Sequence, residues 1–161
     1  MPLEIVSVRV FLTLGVKSLE TAKEVEKELG KKKGTVLVMV NSVCGCAAGS
    51  ARPGVALALQ NELIPDNLYT VFAGVDIEAT ERARELMADV PPSSPSVGLF
   101  KNGKLVYFLP RQEIEGFTNQ QIADKLITAF NNHCTAKGPS VDPKKLFDIF
   151  ALRPKTLWTT K

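Results

Sequence analysis

The chain has 161 residues, of which 45% are hydrophobic and 23% charged. That is the size and balance of one domain with a buried core, and it excludes a disordered chain, a fibrous repeat and a bare membrane span. The net charge of +3 is uneven: residues 135–161 carry six Lys or Arg against two Asp, which leaves −1 for residues 1–134. No aromatic platform or Gly-rich clamp interleaves the tail's lysines, so it reads as a solvated basic extension and not as a nucleic-acid footprint.

Residues 5–12 mix alternation with β-branched side chains and predict a strand. The apolar stretch around them is broken by Glu4 and Arg9, lacks a basic leader and is too short to span a bilayer, so neither an export signal nor a membrane anchor is expected. Leu19, Ala22, Val25 and Leu29 recur at helical spacing, which predicts a helix over residues 18–29 opened by Ser18 and closed by Gly30. Residues 35–40 form a continuous apolar run, the pattern of a strand covered on both faces. This run leads directly to Cys44-Gly45-Cys46, after which residues 47–63 predict a small-residue helix interrupted at Arg52-Pro53. A turn at Pro65-Asp66-Asn67 precedes a strand at 69–75, a helix at 78–88 and a rigid loop at 91–95. Asn102-Gly103 then marks a hairpin between strands at 96–100 and 104–109. A last helix spans 118–133, with Ile122, Leu126, Ile127 and Phe130 inward. The order β-α-β-α-β-α-β-β-α is that of an α/β domain, and in open α/β sheets reactive groups gather at the carboxyl ends of strands. The cysteine pair stands at such an end.

A thiol reacts as its thiolate, and a cysteine just ahead of a helix sees unpaired N–H groups that lower its pKa. Cys44 is placed for that. Cys46 cannot share a helical face with it, so a disulfide between the two needs Cys44 outside the helix and a flexible residue between, which Gly45 supplies. The small ring closed by such a bond implies strain, and hence a pair more easily reduced than that of thioredoxin at about −270 mV. Three cysteines, an odd number, fit a reducing compartment, the cytoplasm, better than a secreted disulfide framework.

Taken together, Val40-Asn41-Ser42-Val43-Cys44-Gly45-Cys46-Ala47-Ala48-Gly49 and Ala51-Arg52-Pro53-Gly54 resemble the signature of the bacilliredoxins, thioredoxin-like proteins. Pro65-Asp66-Asn67, Val71-Phe72-Ala73-Gly74, Pro92-Ser93-Ser94-Pro95-Ser96, Pro110-Arg111-Gln112-Glu113-Ile114-Glu115-Gly116 and Ala129-Phe130-Asn131-Asn132-His133-Cys134 extend the resemblance over about residues 17–134. It implies a thioredoxin-like fold, a mixed sheet flanked by helices over residues 1–134, with 135–161 as a short C-terminal extension. It also implies thiol–disulfide exchange, either removing bacillithiol or a similar small thiol from mixed disulfides on proteins or isomerising protein disulfides. Cys44 would attack and Cys46 resolve, with no metal or organic cofactor. Pro95 matches the cis-proline of such folds, which would turn the Ser94 backbone toward the cysteines to pair with a substrate strand. Where thioredoxins bury an aspartate, the spacing places Val38, so proton transfer would fall to water or to Asn41 and Ser42.

Several residues carry two readings each. Cys134 is a second resolving or regulatory thiol, or a buried residue capping the last helix; His133 is a base, or serves the helix dipole. Arg52 steers an anionic thiol or supports the thiolate, or forms a surface ion pair. Cys44, Cys46, Cys134 and His133 together would make a Cys3His zinc module, the rival from a different class. Leu146, Ile149 and Phe150, with Phe147 and Trp158, suggest that the tail docks on the domain.

Overall fold

The computed structural model describes residues 14–41, 51–142 and 144. The strand expected over residues 5–12, the cysteine motif with Ser42, and the apolar tail residues from 146 onward lie outside them. In chain order the elements are β1 (Lys17–Ser18), α1 (Ala22–Leu29), β2 (Thr35–Asn41), α2 (Arg52–Ala58), β3 (Leu63–Ile64), β4 (Asn67–Phe72), α3 (Ile77–Leu86), β5 (Ser96–Lys101), β6 (Lys104–Leu109), α4 (Asn119–His133) and β7 (Ala136–Lys137).

Five strands form one mixed sheet in the order β1-β4-β2-β5-β6. β4 runs parallel to both β1 and β2, whereas β5 is antiparallel to β2 and to β6. This is the thioredoxin-like arrangement that the sequence leads one to expect. Every residue of the central β2 is buried, because helices cover both faces. Leu37 and Met39 point into a core with Val55, Ile122, Leu126 and Phe130 of α2 and α4. Val36, Val38 and Val40 point the other way, against Val25 and Leu29 of α1 and Ala79 and Ala83 of α3. α2 and α4 approach so closely that a Cβ on Gly54 would stand 2.6 Å from Ile122 Cγ2.

The hairpin forms as the Asn-Gly pair predicts, with Asn102 at φ 53 and Gly103 at φ 83. Other boundaries move for local reasons. Helix α1 starts at Ala22 and not at Ser18, since Thr21 caps it by accepting from Glu24 N at 3.2 Å, while Lys17 and Ser18 pair with Tyr69 and Thr70 of β4. β4 ends at Phe72, before Gly74 turns at φ 85. β7 pairs with β3, and Gly138 N donates to Glu62 O and Ser140 N to Leu59 O, both at 2.9 Å. Residues 136–140 of the basic extension thus lie along the domain. Among the described residues, no helix is long and apolar enough to cross a membrane.

Candidate functional site

The sheet's topology gathers several of the residues singled out above at one end. β2 ends at Asn41 opposite Phe72 of β4, β5 begins at Ser96 opposite Val40, and Leu109 of β6 lies opposite Val97. The nine residues that carry Cys44, Gly45 and Cys46 connect Asn41 to Ala51, which precedes α2. Ser42, Cys44, Gly45 and Cys46 are outside the described residues, so what can be built is the frame around them.

Asn41 and Arg52 hold the two ends of that connection together. Both are fully buried, and Arg52 Nη1 donates to Asn41 Oδ1 at 3.0 Å. Arg52 is therefore no surface ion pair, which corrects one of its two readings. Its position is costly twice over: a buried guanidinium loses its hydration, and a cation at the first turn of a helix opposes the helix dipole. Pro53, beside it, suits the start of α2 because it has no N–H to leave unbonded. Periodicity carried no hint that Asn41 and Arg52 pair, although a cation set where the dipole disfavours one is a signal that could have prompted the question.

On the facing side, Ser94-Pro95 is a cis peptide bond, and Pro95 is buried at the entry to β5. The loop is tied from within and from outside. Ser96 Oγ donates to Ser93 O at 2.9 Å, Arg111 N donates to Ser93 Oγ at 3.2 Å, and Arg111 Nη1 reaches Ser94 O at 3.4 Å. Arg111 Nε also pairs with Glu115 at 3.2 Å, so this stretch braces the Ser94-Pro95 turn. Val38 is fully buried among apolar side chains. No Asp or Glu among the described residues is buried, which leaves no interior carboxylate there to receive a thiol proton.

Cys134 lies elsewhere. It is 4% exposed and closes α4, its N–H bonded to Phe130 O at 2.8 Å. Burial pushes its thiol up to about 11, against a weaker opposing pull from the Thr35 hydrogen bond. Thr35 begins β2 and Asn41 ends it, so about 20 Å of strand separates Cys134's neighbour from the point where the cysteine motif departs. The structure thus brings Asn41, Arg52, Ser94 and Pro95 to one end of the sheet, and places Cys134, with His133 beside it, at the other. Among the described residues no group of His, Cys, Asp or Glu is arranged to hold a metal ion.

Residues 5–134 match a protein-family model described as disulphide isomerase. A bacilliredoxin of Halalkalibacterium halodurans is 51% identical over 120 residues, covering 74% of this chain and 83% of its own. A bacilliredoxin of Staphylococcus aureus is 50% identical over 120 residues, covering 74% and 82%. Among solved structures, Fasciola hepatica thioredoxin aligns over 73% of this chain and 99% of its own, with a TM-score of 0.47 and 22% identity.

Proposed function

This chain belongs to the bacilliredoxin family, and from that premise we propose that it removes bacillithiol, or a similar small thiol, from mixed disulfides on cytoplasmic proteins. It is a thiol–disulfide oxidoreductase; what is proposed is the substrate and the residues that act on it. Cys44 is the nucleophile. Its thiolate attacks the bacillithiol sulfur of the mixed disulfide, a Cys44–bacillithiol bond forms, the protein–bacillithiol bond breaks, and the protein's cysteine leaves as a thiolate and takes up a proton. Cys46, with Gly45 giving the turn, then attacks Cys44 Sγ. Bacillithiol departs as its thiolate, and a Cys44–Cys46 disulfide remains for a thiol reductant to open; a second bacillithiol attacking the same mixed disulfide offers another exit.

The observation that carries this reading is the bridge from Arg52 to Asn41 at the base of the cysteine segment. A fixed positive charge there favours the thiolate over the thiol without any group that must first take up a proton. Ser42 and Asn41 stand at the start of the same segment as polar neighbours. Ser94, before Pro95, offers its backbone to an incoming extended substrate. Cys134 has no part in the exchange, being buried and protonated at the far end of the sheet.

The family description, disulphide isomerase, favours a second substrate class, non-native disulfides within proteins. Both are tested on the full chain by measuring release of bacillithiol from a bacillithiol-modified protein and, separately, recovery of a scrambled-disulfide protein. Release well above the rate with free bacillithiol alone supports the reading. Recovery without release moves the substrate to protein disulfides. Neither activity, together with stoichiometric zinc that is lost in Cys44→Ala, replaces the redox reading with the metal module.

A further inference from the structure

The ladder between β5 and β2 ends at Ser96, which pairs with Val40. On the other flank the last pair is Val97 with Leu109 of β6, and carrying that antiparallel register two residues further sets Arg111 opposite Pro95, next to Ser94. β6 does not continue there, because Arg111 opens a short 3-10 turn over Arg111–Glu113. Its guanidinium takes the place of the missing strand: Nη1 donates to Ser94 O at 3.4 Å, where a neighbouring backbone N–H would have donated. Among the described residues no backbone group bonds to Ser94 N or Ser94 O. Pro95 has no N–H, so the peptide joining the two residues offers a carbonyl alone.

The guanidinium is itself held in place. Arg111 N donates to Ser93 Oγ and Nε pairs with Glu115 Oε2, both at 3.2 Å. Ile114 N and Glu115 N bond to Arg111 O at 2.9 and 2.8 Å, and Ile114 is fully buried in the core, which anchors the turn. A carbonyl oxygen has two acceptor sites. With one taken by Arg111, the orientation of the Ser94 carbonyl is set, and its other site and the Ser94 N–H are left for a chain arriving from outside. An extended segment that adds to a sheet edge uses such a donor and acceptor, and its affinity comes from main-chain hydrogen bonds. We propose that Arg111 is a positioning residue that holds the Ser94 carbonyl in line for the backbone of the substrate protein. This rests on the reading in which the Ser94 backbone receives the substrate, and it adds a basis for selectivity. A small disulfide has no peptide backbone, so the alignment favours thiols attached to proteins.

The test measures kcat and KM of the full chain on two substrates, a bacillithiol-modified protein and the mixed disulfide of bacillithiol with 2-mercaptoethanol, which has no peptide group. Loss of one aligned hydrogen bond predicts that Arg111→Met lowers the ratio of kcat/KM for the protein over the small disulfide by about 3- to 10-fold, through a raised KM for the protein. Arg111→Lys keeps a charged donor but cannot bond Ser94 O and Glu115 together, so it should fall between the parent and Arg111→Met. Glu115→Gln loosens the guanidinium and should lower the ratio in the same direction, by less. An unchanged ratio in Arg111→Met overturns the inference. So does an equal loss on both substrates, which is what a disturbed loop or a lost charge near the thiols would give, and so does a fall in kcat for the protein with its KM unmoved. Thermal unfolding of each variant checks that the fold is intact. Failure of the underlying reading looks different and takes the inference with it: the parent chain itself would then act on neither substrate, whatever stands at position 111.

Discussion

Replacing Arg52 by methionine keeps an apolar stem of similar length and deletes a buried charge whose Nη1 lies 3.0 Å from Asn41 Oδ1. Cys44 is three residues beyond Asn41, so its Cα can be no farther than about 11 Å from that of Asn41. For about 10 Å between charge and sulfur and an effective dielectric of about 20, the attraction is about 1.7 kcal/mol. That equals roughly 1.2 units in the Cys44 pKa, which should rise by this amount in Arg52→Met. The assay is the rate of Cys44 alkylation as a function of pH in a Cys46→Ala background. Because Arg52 is fully buried, raising the ionic strength should leave most of the difference in place, whereas an exposed charge would be screened. Arg52→Lys keeps the charge but loses the planar fork, so it should fall between the two. A profile in Arg52→Met that overlays the parent's would refute the argument and leave Arg52 as a strut for the ends of the segment.

Three further outcomes follow from the packing and the chemistry. Gly54→Ala pushes a Cβ to 2.6 Å from Ile122 Cγ2 and 2.8 Å from Ile122 Cβ, so α4 must shift, and urea unfolding should show a loss of about 1–3 kcal/mol. The folded Cys134 thiol keeps its proton up to about 11, while the unfolded one gives it up near the ordinary 9.0. The unfolded state therefore binds fewer protons in that window, and stability should fall as pH rises through it by about 1.4 kcal/mol per unit. Cys134→Ala should flatten this slope and leave exchange unchanged; an equal slope in the variant would contradict the assignment. Equilibration against a dithiol buffer should place the Cys44–Cys46 couple above about −270 mV, and a value at or below it would remove the argument from ring size.

The elements that pack were legible in the sequence, because burial leaves a period behind. The continuous run of β2, the Asn102-Gly103 turn and the inward face of α4 each follow from one local rule, and each forms as expected. The start of α1 differs from the expected Ser18 because Ser18 and Thr21 both carry a capping hydroxyl, and the choice between them depends on β1 pairing with β4, which no local pattern encodes. β3 and β7 went unseen for the same reason, being two residues long and 72 residues apart from Ile64 to Ala136. At the site, spacing and family resemblance singled out Asn41, Arg52, Ser94 and Pro95 individually. What they do together required the fold, since the bridge from Arg52 to Asn41 and the brace from Arg111 to Ser94 join residues 11 and 17 apart. Burial decided the rest: it removed the surface ion pair from the two readings of Arg52, and it closed Cys134 off from solvent.

The central claim, that Cys44 takes a small thiol from a protein and Cys46 releases it, is most directly tested by mass spectrometry after challenge with a bacillithiol-modified protein. Cys46→Ala should accumulate one bacillithiol, mapped to Cys44, while Cys44→Ala accumulates none and leaves the modified protein unchanged. Bacillithiol found on Cys46 in the Cys44→Ala chain, or on neither cysteine in any variant, would contradict the account.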